Sequence, residues 1–221
     1  MSAAGSKLPN LMLFTRLPVP GRTKTRLMPS FPPEWCAALH RAMLADITAA
    51  IRRLLADGGL LNACLHVFFT PDGDEAALSD LRRACGPAVY VAQEGASLCE
   101  RMRNAMNKSF GLGFAPCLLM GSDVPSVTEG DILAAYSLLE HSDAVLAPTY
   151  DGGYWLVGLN EPRDEIFEES GGFEAALALC KRAMIRVGVG PRLRDIDTPE
   201  DVHQMVLGAG MPNTRRIVTG K

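Results

Sequence analysis

From Arg16 to Leu27 the sequence reads Arg-Leu-Pro-Val-Pro-Gly-Arg-Thr-Lys-Thr-Arg-Leu. Prolines fix φ around Gly21, whose missing side chain lets the backbone come close to a ligand. Arg22, Lys24 and Arg26 follow at alternate positions, so an extended segment would project three cations to one side. A triphosphate needs such a clamp, because its charge must be neutralised in both ground and transition states. The competing reading is a solvated basic loop. Neither the Walker A pattern nor the Rossmann Gly-x-Gly-x-x-Gly is present.

Three acidic motifs could serve such a clamp. Gly121-Ser122-Asp123-Val124-Pro125 follows the apolar run Cys117 to Met120. A carboxylate leaving a parallel strand can hold Mg²⁺, a hard cation that prefers oxygen ligands, or it can close a turn on its own backbone. Asp151-Gly152-Gly153-Tyr154-Trp155 is either a hairpin turn or a place where paired glycines admit an acceptor beside Asp151 and Tyr154. In Arg194-Asp195-Ile196-Asp197-Thr198-Pro199-Glu200-Asp201, helix capping explains Thr198, Pro199 and Asp201. It leaves Asp197 free to meet Asp123 and complete a metal site.

The elements that must position these groups follow from periodicity. Strands are predicted at 11–14, 64–69, 88–91, 117–120, 144–147, 154–157 and 184–187. Helices are predicted at 34–56, from Pro71-Asp72-Gly73 to about Cys85, and at 97–110, 128–139, 173–182 and from Thr198 onward. Asp57-Gly58-Gly59 ends the first helix, and Ser97 with Glu100 makes a capping box for the third. Repeated strand–helix units predict an α/β fold: one domain over residues 1–221, with a mostly parallel sheet and helices on both faces. Ligands then collect at the carboxyl ends of the strands.

Composition narrows the partners. The 221 residues are 48% hydrophobic and 21% charged, enough apolar material for a core and unlike a disordered chain. Residues 1–33 carry five cations and no acid, so the remaining 188 must hold a net −8. A small cationic cluster on an acidic body suits a nucleotide better than nucleic acid, which needs a broad basic face. No apolar run approaches the ~18 residues of a membrane span. The start, Met1 to Lys7, lacks a signal peptide's apolar core, so a cytoplasmic location is expected. The six scattered cysteines read as free thiols and the four histidines show no zinc spacing.

Taken in order, Arg16–Leu27, Gly121–Pro125, Asp151–Leu159 and Leu193–Val202 resemble the bacterial glycosyltransferase-A-like proteins. These belong to the nucleotide-diphospho-sugar transferase superfamily and are related to molybdopterin nucleotidyltransferases and to phospholactate guanylyltransferase. The resemblance implies that fold, with Arg16, Gly21, Arg22, Lys24 and Arg26 at the phosphates and Gln93 and Gly95 near the base. It implies Asp123 and Asp197 as ligands of Mg²⁺ or Mn²⁺, Lys24 and Asp123 as the catalytic pair, and Asp151, Gly152, Gly153 and Tyr154 facing the acceptor. Where many relatives have Trp-Ser-Thr, this chain reads Glu168-Glu169-Ser170-Gly171-Gly172-Phe173. The expected activity is Mg²⁺-dependent nucleotidyl transfer from an NTP to a small phosphorylated or hydroxyl acceptor, by direct in-line attack. The alternatives are glycosyl transfer from a nucleotide sugar and non-catalytic nucleotide binding. The oligomeric state is left open.

Overall fold

A computed structural model describes residues 7–58, 60, 62–168, 171–205 and 210–220. Gly59, Glu169, Ser170 and the first six residues, all used in the motifs above, lie outside them. Seven strands form one sheet: β1 (Asn10–Arg16), β2 (Cys64–Thr70), β3 (Val89–Ala92), β4 (Cys117–Gly121), β5 (Ala144–Pro148), β6 (Tyr154–Leu159) and β7 (Val187–Val189). Their order is β3-β2-β1-β4-β6-β5-β7, with β6 alone antiparallel to its neighbours. The helices are α1 (Pro33–Ala56), α2 (Glu75–Cys85), α3 (Leu98–Gly111), α4 (Glu129–Leu138), α5 (Gly172–Arg182), α6 (Pro199–Met205) and α7 (Pro212–Thr219).

Strand alternation sorts the core onto two faces. Leu11 and Leu13 of β1 pack with Leu44, Ile47 and Ile51 of α1, whereas Met12 and Phe14 pack with Met102 and Met106 of α3. A third cluster joins Leu27, Leu39 and Met43 to Ile196, Val202 and Met211, tying the basic loop to the C-terminal segment. The caps form as the sequence predicts: Ser97 with Glu100 opens α3, and Asp201 bonds Thr198 N at 2.8 Å to open α6. The six cysteines are free thiols, and among the described residues no helix is long and apolar enough to cross a membrane.

Two differences from the sequence reading have local causes. The strand expected at 184–187 lies at Val187–Val189, because the end of α5 consumes the intervening residues. Ile185 N bonds back to Cys180 O at 2.9 Å, and Met184 takes the left-handed position (φ 55) where a glycine is usual. The sequence reading also lacks α7. Buried Asp46 of α1 holds that helix, accepting Thr214 N and Oγ1 at 2.8 and 2.6 Å and Asn213 N and Nδ2 at 3.1 and 2.8 Å.

Candidate functional site

Phe14 pairs with Gly121 and Arg16 with Thr70, so the loops after β1, β2 and β4 open on one edge of the sheet. The loop after β1 is a turn followed by a single 3-10 turn at Thr25–Leu27, preceded by Lys24 in the left-handed region (φ 52). That conformation sends Lys24 inward, where its side chain is 4% exposed. Its Nζ donates to Asp123 Oδ1 at 2.5 Å, to Asp197 Oδ1 at 3.0 Å and to the Ile196 carbonyl. Ile196 N in turn bonds Asp123 O at 2.9 Å, and Arg26 Nη1 donates to Asp197 Oδ2 at 3.2 Å.

A buried ammonium is costly unless paired and hydrogen-bonded, and this one is both. Burial alone would lower the Lys24 pKa, but Asp123 and then Asp197 more than offset it and leave it raised. Burial would raise the Asp123 carboxyl, but the Lys24 ammonium and its hydrogen bond hold it below the usual carboxylate range.

Beside this ion pair lies a cavity of about 570 Å³ bordered by Arg16, Lys24, Arg26, Arg101, Asp123 and Asp197. The expectation that Arg22, Lys24 and Arg26 share one face needs correction. The segment is not extended, and Arg22 turns away to the Asp72 carbonyl in a separate groove with Pro18 and Pro20. Gly21 supplies the turn itself (φ 82) and does not border the cavity. Gln93 does border it, but its amide is committed: Nε2 donates to Thr15 O and Phe68 O at 3.0 Å, and Oε1 accepts from Thr70 at 3.1 Å. It braces the floor of the cavity. Gly95 takes φ +135 and accepts Arg101 Nε at 2.9 Å, which anchors Arg101 in the cavity wall.

The histidine reading missed His40, buried under the cavity with Nε2 3.1 Å from Thr15 Oγ1 and 3.3 Å from Arg16 O. A carbonyl only accepts, so Nε2 carries the proton. Burial and then Lys24 push its pKa down to about 4, so the ring is neutral. A lone His amid an apolar helix face gives no sequence signal for this role.

Asp151 closes its hairpin, accepting Thr149 Oγ1 at 2.5 Å and Gly153 N at 2.9 Å. Burial and then the adjacent Asp151 raise Asp195 to about 6. Gly152 O accepts Phe173 N at 2.8 Å, and a Cβ on Gly172 (φ +72) would stand 2.4 Å from that oxygen. The paired glycines at both places therefore let the hairpin and α5 meet. Gly153 and Tyr154 border a second, adjoining cavity, whereas Asp151 and Gly152 do not.

Two carboxylates that already share one cation position suit a divalent ion. Mg²⁺ is typically held by one or two carboxylates and completes its shell with substrate phosphate and water. Among the described residues no group of three or more His, Cys, Asp or Glu could hold a metal unaided, so Asp123 and Asp197 would hold it together with bound phosphate.

The fold and this edge-of-sheet site define a nucleotide-diphospho-sugar transferase-like protein. Over 97% of its length the chain superposes on a candidate nucleotide-diphospho-sugar transferase from Desulfovibrio desulfuricans G20, covering 95% of that chain at 27% identity with TM-score 0.82. The manganese complex of Rv0371c from Mycobacterium tuberculosis H37Rv shares the fold, with TM-score 0.56 and 16% identity over 92% of this chain and all of that one. Residues 55–170 match the model of a family described as uncharacterized proteins conserved in bacteria, DUF2064, and the chain belongs to that family. It is also 30% identical over 144 residues to a 2-phospho-L-lactate guanylyltransferase from Methanoculleus marisnigri. The match covers 65% of this chain and 56% of that relative.

Proposed function

We propose that the chain is a divalent-metal-dependent nucleotidyltransferase that transfers a nucleoside monophosphate from an NTP, with GTP the first to test, to a small acceptor. The observation that carries this reading is the junction of Lys24, Asp123 and Asp197 at the mouth of the 570 Å³ cavity. Likeness to a guanylyltransferase supports the reaction class and the base.

In the mechanism, Arg16 and Arg26 draw the phosphates to the carboxyl ends of β1 and β4 and orient them. Asp123 and Asp197 would hold Mg²⁺ or Mn²⁺, which neutralises charge developing on the phosphates when bound. With phosphates present, Lys24 has a second anion to serve and can turn from the carboxylates to the leaving oxygens. Neutral His40 fixes the Arg16 carbonyl and Thr15, holding the start of the loop. The acceptor attacks in line from the side of β6 and α5.

The test is pyrophosphate release from NTPs with and without Mg²⁺, together with thermal shifts for the same ligands. A Mg²⁺-dependent shift with GTP and loss of turnover by orders of magnitude in Asp123→Ala are expected. No shift with any nucleotide refutes the reading, and a metal-independent shift that survives Asp123→Ala makes the chain a non-catalytic binder. Likeness to the Desulfovibrio protein supports a second reading, glycosyl transfer from a nucleotide sugar. It predicts release of a nucleotide without pyrophosphate.

A further inference from the structure

The second cavity, of about 310 Å³, meets the first along Phe14, Leu98, Ser122 and Asp123, which border both. The rest of its wall includes Cys99, Met102, Leu119, Tyr154 and Ala176. Among the described residues no Lys, Arg or His borders it, and the one charged group at its mouth is the Asp123 carboxylate. Its other side-chain polar groups include the buried Ser122 hydroxyl, the Tyr154 phenol and the Trp155 indole, whose N–H is already donated to the Pro191 carbonyl. Burial, with the thiols of Cys99 and Cys180 nearby, pushes the phenol further up, so it is a neutral donor.

This chemistry discriminates between acceptors. A phosphate or carboxylate carried past the mouth would face Asp123 and find no cationic side chain, with only the amino end of α5 at Gly171 and Gly172 to oppose the cost of leaving water. Apolar surface placed there gains about 25 cal/mol per Å² removed from water. We propose that this cavity is the acceptor site and that the acceptor is an apolar-bodied alcohol, its carbon body against Phe14, Met102 and Tyr154 and its hydroxyl directed to Asp123. The inference rests on the nucleotidyl-transfer reading and narrows it. The hydroxyl oxygen bonds to the α-phosphorus of the NTP while the bond from that phosphorus to the pyrophosphate oxygen breaks. The hydroxyl proton passes to solvent, so alcohol and NTP become a nucleotidyl ester and pyrophosphate.

The probes are benzyl alcohol and benzyl phosphate, titrated calorimetrically into the full chain in saturating inorganic pyrophosphate, which occupies the cationic cavity of Arg16 and Arg26 and leaves the second cavity to be read. The alcohol is expected to bind at least about tenfold tighter than the ester. Cys99→Lys, which puts a cation at a half-buried place in the wall, is expected to reverse the order. Equal or tighter binding of the ester to the unsubstituted chain, or no binding of either, overturns the proposal; if Cys99→Lys fails to fold, that comparison decides alone. Pyrophosphate release from Mg-GTP is read separately. Binding of the alcohol with no release for any acceptor leaves the apolar site standing and refutes the nucleotidyl-transfer reading.

Discussion

Replacing Lys24 with Met keeps the aliphatic stem and deletes the ammonium that Asp123 and Asp197 share. Removing one partner of a fully buried ion pair costs about 3–5 kcal/mol, because the other charge is stranded. Here the stranded side chains retain 47% and 28% exposure, and Asp197 keeps Arg26. Water and Arg26 recover part of the loss, which leaves about 2–3 kcal/mol. The assay is urea denaturation of both proteins, in EDTA and in saturating Mg²⁺. In EDTA the variant's unfolding free energy should fall by that amount, and its midpoint by that amount divided by the slope m. Mg²⁺ should restore most of it, since a ligand of the folded state adds about 2.7 kcal/mol at a hundred times its Kd. The unsubstituted protein should respond less to Mg²⁺ alone, because its own ammonium already fills the position. A loss below about 0.5 kcal/mol, the range of an ordinary surface change, refutes the reasoning. So does a loss that Mg²⁺ leaves untouched.

Arg26→Ala should weaken nucleotide binding about five- to tenfold, while Arg22→Ala, facing the other groove, should change it less than about twofold; equal effects in titration calorimetry would restore a common face for the two. His40 sits at about 4 against an ordinary 6.5, so the unfolded chain takes up its proton first as pH falls. Stability present above pH 6.5 is then lost down to about pH 4, on the order of 3 kcal/mol, and acid denaturation of His40→Gln should show a flatter limb. Gly172→Ala forces a Cβ onto Gly152 O in the left-handed region and should cost at least about 2 kcal/mol by denaturation; a neutral result would mean the contact yields.

Most strands and helices are legible because their apolar spacing is local: β1 needs only Leu11 to Phe14, and α3 announces itself through Ser97 and Glu100. The edges of elements are less so. Met184 gives no hint that it will take a left-handed helix end, which moves β7 by three residues at its start. The docking of α7 is invisible because it hangs on Asp46, a carboxylate 168 residues from Thr214. In the site, the residue types and the strand ends are readable, since parallel strands bring Arg16 and Asp123 to one edge. The fate of each side chain is not. An alternating Arg22, Lys24, Arg26 reads equally as an extended clamp or a folded turn, and long-range pairing of Lys24 with Asp123 and Asp197 decides it. Gln93 looks like a base reader until Thr15 and Phe68 claim its amide.

The third hydrophobic cluster fixes when this site can come into being. Leu27 and Leu39 find their cover in Ile196, Val202 and Met211, so the loop after β1 and the start of α1 depend on residues far along the chain. A chain emerging from the ribosome would complete β1, β2 and β4, and with them most of the wall of the 570 Å³ cavity, before Asp197 exists. Until Asp197 and α6 arrive, Lys24 has one carboxylate instead of two and Leu27 lacks the cover of Ile196 and Val202. Assembly of the site therefore waits for Ile196, Asp197 and Val202, and displacing them would strip Lys24 of the Asp197 carboxylate and the Ile196 carbonyl.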